Sequence, residues 1–180
     1  YEWLMAPIML FLHSHRLVFL IGIISLLLLP GLVFSLFTRL GVARRTAWHW
    51  MWLLPSGYCF LLQSGSIGND LFGAVFALAT VDFALRARVS GRPADAMYSV
   101  LAAALMTGAK VSNLVLLLPW MIALLPGWRL FLRHKALTLG TAALSAWCSY
   151  LPTAWNNHRH GGDWSAQSIE SAFQHPPNAP

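Results

Sequence analysis

Charged residues are scarce in this sequence. Aspartate, glutamate, lysine and arginine together make up 10% of its 180 residues, whereas 57% are hydrophobic. A soluble globular domain carries about 25% charged residues. The composition therefore argues against a water-soluble domain and predicts an integral membrane protein.

Acidic residues are the rarest charges, six against twelve lysines and arginines, and the formal net charge is +6. A balance this basic often accompanies nucleic-acid binding. Here the basic residues fall in separate short clusters between apolar runs, so they form no continuous basic surface. We therefore expect no nucleic-acid partner and interpret the clusters as markers of membrane topology.

Cysteines and signature motifs are also scarce. The only two cysteines, Cys59 and Cys148, both lie inside apolar runs, which predicts packed thiols rather than a disulfide. The sequence contains no P-loop, dinucleotide fingerprint or nucleophile elbow, and no internal repeat. None of the common soluble catalytic motifs therefore assigns a function.

Apolar runs dominate the chain and predict an all-α fold, a polytopic transmembrane helix bundle with short loops. The stretch 96–125 is too long for one crossing, because a single helix would measure about 45 Å against a hydrocarbon core of roughly 30 Å. Polar residues 107–113 interrupt it, so we expect a hairpin or a re-entrant pair. The six predicted spans are residues 17–38, 47–62, 71–85, the two halves of 96–125, and 136–151.

The basic residues predict an orientation for these spans. Nine lysines and arginines fall in loops on one side and three on the other, which satisfies the positive-inside rule. Residues 63–70, Lys110 and the tail after Pro152 then face away from the cytoplasm, as expected for a multi-pass protein of a bacterial inner membrane. The inner set is Arg39, Arg44, Arg45, Arg86, Arg88, Arg92, Arg129, Arg133 and Lys135, and the outer set is Arg16, Lys110 and Arg159.

Three regions follow from this pattern. Residues 1–16 contain one apolar run of only about 15 Å as a helix, which predicts an extracytoplasmic interfacial helix or a truncated span. Residues 17–151 form the predicted transmembrane bundle, and residues 152–180 an extracytoplasmic loop. Because the chain opens inside an apolar pattern and stops in a polar coil, we interpret it as an internal fragment with a further C-terminal part.

Unusual polar residues collect on the predicted outer face. Residues 63–70 read Gln-Ser-Gly-Ser-Ile-Gly-Asn-Asp and form a polar island between apolar runs. Its Asn69 and Asp70 either cap the helix that follows or form one wall of a polar cavity. Lys110 lies where two apolar helices meet, which makes it either a functional cation or a lysine that snorkels to the headgroups.

Residues near Lys110 favour the functional interpretation. Ser112 and Asn113 add hydrogen-bond donors, and Gly108 would let a ligand's phosphate approach closely.

Another charged residue, Asp82, lies near the end of the predicted span 71–85. It stands one turn before Arg86, which predicts an ion pair within the helix rather than a transport role.

The tail after Pro152 has residue types that suit a metal, since His158 and His160 precede Asp163 and, farther on, His175. No third ligand stands at a diagnostic spacing, so we assign no metal and keep a divalent ion only as the weaker alternative. His158 and Arg159 are instead candidates for substrate binding.

Two stretches carry a resemblance to a known family. The polar island with the helix after it, and the small-residue helix 101–110 that runs into residues 114–119, resemble the middle of polytopic glycosyltransferases of the GT-C fold. The similarity is to the family 39 enzymes, which include protein O-mannosyltransferases and lipid A aminoarabinose transferases. Leu105-Met-Thr-Gly-Ala-Lys110 is similar to that family's Thr-Lys motif with Gly-Ala inserted, and the likeness covers residues 17–151.

The resemblance implies an enzyme that transfers a sugar from a polyprenyl-phosphate carrier to an extracytoplasmic acceptor, with inversion and without a cofactor. It also implies an acidic general base in the first outer loop, which would precede Tyr1 unless Glu2 is its remnant. Asp70 would be a second acidic residue of the site. The leaving lipid phosphate needs cations and donors, a role that suits Lys110 and Arg159, with Asn69, Ser112, Asn113 and His158 completing the predicted substrate-binding set.

Two other classes remain open. A transporter or flippase for an anionic or lipid-linked substrate would use the same outward lysine and carboxylate, and broken helices are found in such proteins. A purely structural membrane subunit would need none of these polar residues.

Overall fold

A computed structural model describes residues 2–12, 17–66 and 69–164. Of these residues 86% are helical, and none of them forms a strand, so the all-α prediction is confirmed. The α-helices are α1 (Glu2–Leu12), α2 (Phe19–Arg39), α3 (Arg44–Leu53), α4 (Tyr58–Ser64), α5 (Asp70–Ser90), α6 (Pro93–Ala109), α7 (Leu117–Leu124), α8 (Arg129–Arg133), α9 (Lys135–Cys148) and α10 (Tyr150–Gly161), with 3-10 helices at Val111–Leu116 and Leu125–Gly127.

From α2 onward the helices form six segments that run alternately in opposite directions, and we call each segment a leg. The six legs are α2, then α3 with α4, then α5, then α6, then the first 3-10 helix with α7, and finally α9. Helix α5 is central, because α2, α6 and α7 all pack against it, and α9 packs on the far side of α6.

One end of the legs is fixed by three close contacts. A Cβ atom on Gly22 of α2 would lie 2.7 Å from the carbonyl oxygen of Ser64, which ends α4. Lys110, after α6, bonds to the first residue of α5. A Cβ atom on Gly108 would lie 2.8 Å from that of Ser149, between α9 and α10. We call this the Lys110 end.

The opposite end carries most of the arginines. Arg88 and Gly91 at the end of α5 line one cleft together with Gly127 and Arg129, which follow α7. The chain therefore turns back after α6, and the two halves of residues 96–125 run in opposite directions, as expected of either a hairpin or a re-entrant pair. We call this the arginine end.

Many large apolar residues are exposed, and about half of the buried hydrophobic residues are small. Leu27, Val115 and Leu139 are 73%, 76% and 71% exposed, on three different legs. Within the described part of the chain, nine of the nineteen buried hydrophobic residues are alanine: Ala47, Ala79, Ala84, Ala87, Ala96, Ala102, Ala103, Ala109 and Ala154. Soluble proteins bury their large aliphatic residues, whereas helices in membranes approach through small ones.

A buried polar cluster joins three of the legs. The Ser99 hydroxyl of α6 donates to the Thr80 carbonyl oxygen of α5 at 2.9 Å, and the Thr80 hydroxyl donates to the Ser99 carbonyl oxygen at 2.8 Å. The Trp120 indole of α7 donates to Ser99 Oγ at 2.7 Å. These bonds satisfy polar groups that would otherwise be costly to bury.

Within the described residues, α2 alone is both long and apolar enough to span a membrane by itself. The predicted span 47–62 is divided into α3 and α4, and the apolar segment Ser112–Gly127 is shorter. Charged side chains inside α5 lower its hydropathy. Six membrane crossings therefore stay a prediction. Helix α1 covers the apolar run near the N-terminus, while residues 13–16 lie outside the described residues.

The predicted ion pair between Asp82 and Arg86 is wrong. Arg39 Nε of α2 and the Ser35 hydroxyl each donate to Asp82 Oδ1 at 2.7 Å. Arg86 instead lies 3.7 Å from Asp95 on α6. Because Asp82 is 5% exposed, its carboxylate points between helices and takes partners from the neighbouring helix rather than from its own surface.

The two cysteines are free, but the prediction that they pack inside the protein is wrong. Cys59 on α4 and Cys148 at the end of α9 are both exposed. Apolar sequence runs do not distinguish a buried position from one that faces outward when the whole helix is apolar.

Candidate functional site

An ion pair joins Asp70 and Lys110 at the Lys110 end. Asp70 is the first residue of α5, and Lys110 follows the last residue of α6 in an extended conformation. Lys110 Nζ lies 2.7 Å from Asp70 Oδ1, and the two side chains are 48% and 49% exposed. An exposed pair of this kind contributes about 0–1 kcal/mol. Packing rather than this pair therefore holds α5 and α6 together, and the two groups remain accessible to a ligand.

The polar island reaches back to Asp70 from α4. The Gln63 side-chain amide lies 3.5 Å from Asp70 Oδ2, at the long limit of a hydrogen bond. The Ser66 hydroxyl bonds both the carbonyl oxygen and the side-chain oxygen of Gln63, at 2.9 and 3.1 Å. The carboxylate therefore has a polar neighbour on one oxygen and the ammonium on the other.

Asn69 does not cap α5, contrary to one of the two predicted roles. It occupies the N-cap position, but its side chain makes no capping hydrogen bond there. Its amide instead donates to the carbonyl oxygen of Ala109 at 2.6 Å. The last carbonyls of a helix lack partners within that helix, so Asn69 satisfies the end of α6 and holds it beside the start of α5.

Asn113 also acts between these helices. Its side-chain amide donates to the Met106 carbonyl oxygen at 2.9 Å. A Cβ atom on Gly73 would lie 2.6 Å from the same amide nitrogen, so only glycine leaves room for it there. Asn113 therefore fixes the turn that presents Lys110, while its neighbour Ser112 is exposed at the surface.

Gly108 has a packing role in the structure. A Cβ atom on Gly108 would lie 2.8 and 2.9 Å from the Cβ and Cα of Ser149. Gly108 thus permits close packing of α6 against the turn between α9 and α10. Because Gly108 is also exposed, the approach of a phosphate to it stays a prediction.

His158 and Arg159 lie on α10, the helix that starts beside Gly108. The His158 ring stacks on Trp164, with ring centroids 4.4 Å apart and planes 2° from parallel. Arg159 is exposed. No hydrogen bond or ion pair joins either residue to Asp70 or Lys110 among the residues described, so the structure does not place them in the pair's immediate surroundings.

The remaining site predictions fall partly outside what the structure describes. Glu2 begins α1, but its side chain is outside the described residues, as are His175 and the rest of 165–180. Within the described part, no three histidine, cysteine, aspartate or glutamate side chains lie close enough to hold a metal ion. The sequence signalled Gln63 through the polar island, but it gave no sign of the Trp164 stack.

The site combines an accessible ammonium, an accessible carboxylate and amide groups that position the two helix ends. An exposed ammonium such as that of Lys110 is able to bind a phosphate or a carboxylate, and the carboxylate of Asp70, which pairs with it, is able to accept hydrogen bonds from hydroxyl groups. Comparison with protein-family models, curated proteins and solved structures gives no match.

Proposed function

We propose that the chain is a multi-pass membrane protein whose six legs cross a bacterial inner membrane, with the Lys110 end outside. The support is physical: many large apolar side chains are exposed on the outside of the legs, alanine makes up about half of the buried hydrophobic residues, and basic residues concentrate at the arginine end. Helix α9, about 21 Å long, is shorter than the hydrocarbon core. A short leg is accommodated by local thinning of the bilayer and by flanking residues that reach the interface.

Within that arrangement the proposed activity is glycosyl transfer of the GT-C type. A sugar on a polyprenyl-phosphate carrier is passed to an acceptor hydroxyl outside the cytoplasm, with inversion at the anomeric carbon. The observation that carries the proposal is the ion pair of Asp70 and Lys110, which sets an accessible ammonium at the end of apolar helices. A lipid phosphate leaving from the membrane boundary meets its counter-charge there.

Each residue then has a distinct task. Lys110 stabilises the negative charge that develops on the departing lipid phosphate. Asp70 keeps the ammonium in place and accepts a hydrogen bond from donor or acceptor. Asn69 and Asn113 position the turn from which Lys110 projects. Glu2 and Asp70 are the candidate carboxylates for the general base that takes the acceptor's proton, and the pairing with Lys110 favours the positioning role for Asp70.

The sequence offers a matched control for testing this role. Lys110→Ala should lower transfer from a polyprenyl-phosphate-linked sugar by two or more orders of magnitude, the scale of a lost charge-stabilising group. Lys135→Ala removes the only other lysine, at the arginine end, and should leave transfer unchanged. Turnover is measured with the protein in reconstituted vesicles. Equal turnover for both variants would remove Lys110 from the site.

A transporter or flippase for an anionic or lipid-linked substrate is the second proposal. Its support is the polar contact of Arg39, Ser35 and Asp82, which places charged groups between α2 and α5. Those groups already satisfy one another, so the transferase is favoured. Uptake of a labelled solute into sealed vesicles, with no glycosylated product, would select the transporter.

A further inference from the structure

A cleft at the arginine end gathers three guanidinium groups. Arg88 comes from the end of α5, and Arg129 and Arg133 come from α8. The cleft has a volume of about 200 Å³, and Ala87 and Leu130 also line it. The cleft lies at the arginine end, opposite Lys110, and takes no part in the proposed sugar transfer.

The charge of this cleft is not compensated within the described residues. Arg39 and Arg86, at the same end, pair with Asp82 and Asp95. The three guanidinium groups of the cleft, by contrast, have no acidic partner among the described residues, and all three side chains are exposed. Cations that share one cleft repel each other, and an anion that binds between them removes the repulsion.

The chemistry of the three groups favours a phosphate. A guanidinium group donates two parallel hydrogen bonds to phosphate oxygens and is more weakly hydrated than an ammonium. The surface beside the cleft is apolar, since Leu125, Trp128 and Leu132 are 71%, 51% and 54% exposed. Tryptophan is enriched at the headgroup level of membranes. The ligand should therefore carry a phosphate together with hydrocarbon chains.

We propose that the cleft of Arg88, Arg129 and Arg133 binds the phosphate of an anionic phospholipid from the leaflet at the arginine end. The phosphate enters between the three guanidinium groups, and the acyl chains lie along Leu125, Trp128 and the exposed face of α7. This inference rests on the proposed membrane insertion but not on the proposed sugar transfer.

The test uses the full chain, purified in detergent and mixed with phosphatidylglycerol, and native mass spectrometry counts the lipids that stay bound. Replacing Arg88, Arg129 and Arg133 together by glutamine should weaken retention on the order of 100-fold, since each basic residue near the membrane surface contributes about fivefold. The matched control replaces Arg44, Arg45 and Lys135 by glutamine, which removes the same charge at the same end but outside the cleft. Equal losses for both triples would overturn the cleft as the site.

A second variant adds a bulky side chain to the lining of the cleft and keeps every charge. Gly127 lines the cleft, and a Cβ atom there would meet no atom within 4 Å, so Gly127→Leu is compatible with the fold. It should reduce phosphatidylglycerol retention, and retention equal to that of the unaltered chain would contradict the proposal.

Two further measurements distinguish a failure of the lipid-binding proposal from a failure of the membrane proposal. Excess glycerol phosphate should not displace bound phosphatidylglycerol, and full displacement would identify a soluble phosphate rather than a lipid as the occupant. Alkaline carbonate extraction of membranes tests insertion on its own. Release of the chain by carbonate would refute the membrane proposal, whereas retention by carbonate with no preference for phosphatidylglycerol over phosphatidylcholine would refute only the lipid site.

Discussion

Removing the guanidinium of Arg39 should destabilise the fold by about 2–3 kcal/mol. Breaking a buried ion pair from one side costs about 3–5 kcal/mol, because the remaining charge stays buried. Here the Asp82 side chain is 7% exposed but that of Arg39 is 32% exposed, so water screens part of the interaction and lowers the expected cost. Arg39→Met keeps the length of the side chain and removes only its charge and donors.

The free energy of unfolding is measured by detergent denaturation in mixed micelles, followed by circular dichroism. Arg86→Met is the matched control, since Arg86 lies 3.7 Å from Asp95 and its side chain is 41% exposed. It should cost less than about 1 kcal/mol. The double variant Arg39→Met with Asp82→Leu should recover most of the lost stability, because a well-packed apolar pair replaces a buried ionic one. A larger loss for Arg86→Met than for Arg39→Met would refute the pairing.

Two further predictions concern the packing between legs, and both use the same unfolding measurement. Gly108→Leu should lower the free energy of unfolding by about 1–3 kcal/mol, because the leucine side chain would overlap Ser149. Gly140→Leu is the control and should be neutral, because a Cβ atom there, on the exposed side of α9, meets no atom within 4 Å. Equal effects of the two substitutions would contradict the contact between Gly108 and Ser149. Ser99→Ala should cost about 1–3 kcal/mol by leaving the Trp120 indole without its acceptor, and an unchanged stability would show that this bond does not tie α7 to α6.

The alternation of the legs was predictable from the sequence for a simple reason. Polar interruptions at residues 63–70 and at Lys110, together with basic loops at the other ends of the runs, specify which ends of the helices are neighbours. The presence of Asp70 and Lys110 at the same end follows from that alternation, whereas their direct contact does not. The division of residues 47–62 into two helices did have a signal in the sequence, Pro55-Ser56-Gly57, which the prediction of a single span did not use.

The specific partners of polar and small residues were not predictable. Asp82 has arginines at suitable positions on two helices, and local spacing favours the wrong one because the structure selects its partner through packing of α2 on α5. Gly108 is suited both to a ligand and to a neighbouring helix, and nothing in the sequence indicates its contact with Ser149. Contacts between residues about forty positions apart depend on helix rotation, which a run of apolar residues leaves undetermined.

The central claim is that the Lys110 end and the arginine end lie on opposite sides of a membrane. Cysteine labelling tests it directly, in a chain whose exposed Cys59 and Cys148 are replaced by serine. With a membrane-impermeant maleimide and intact cells, His160→Cys should be labelled, and Ser90→Cys should be labelled only after permeabilisation. Labelling of both positions in intact cells, or of Ser90→Cys alone, would contradict the account.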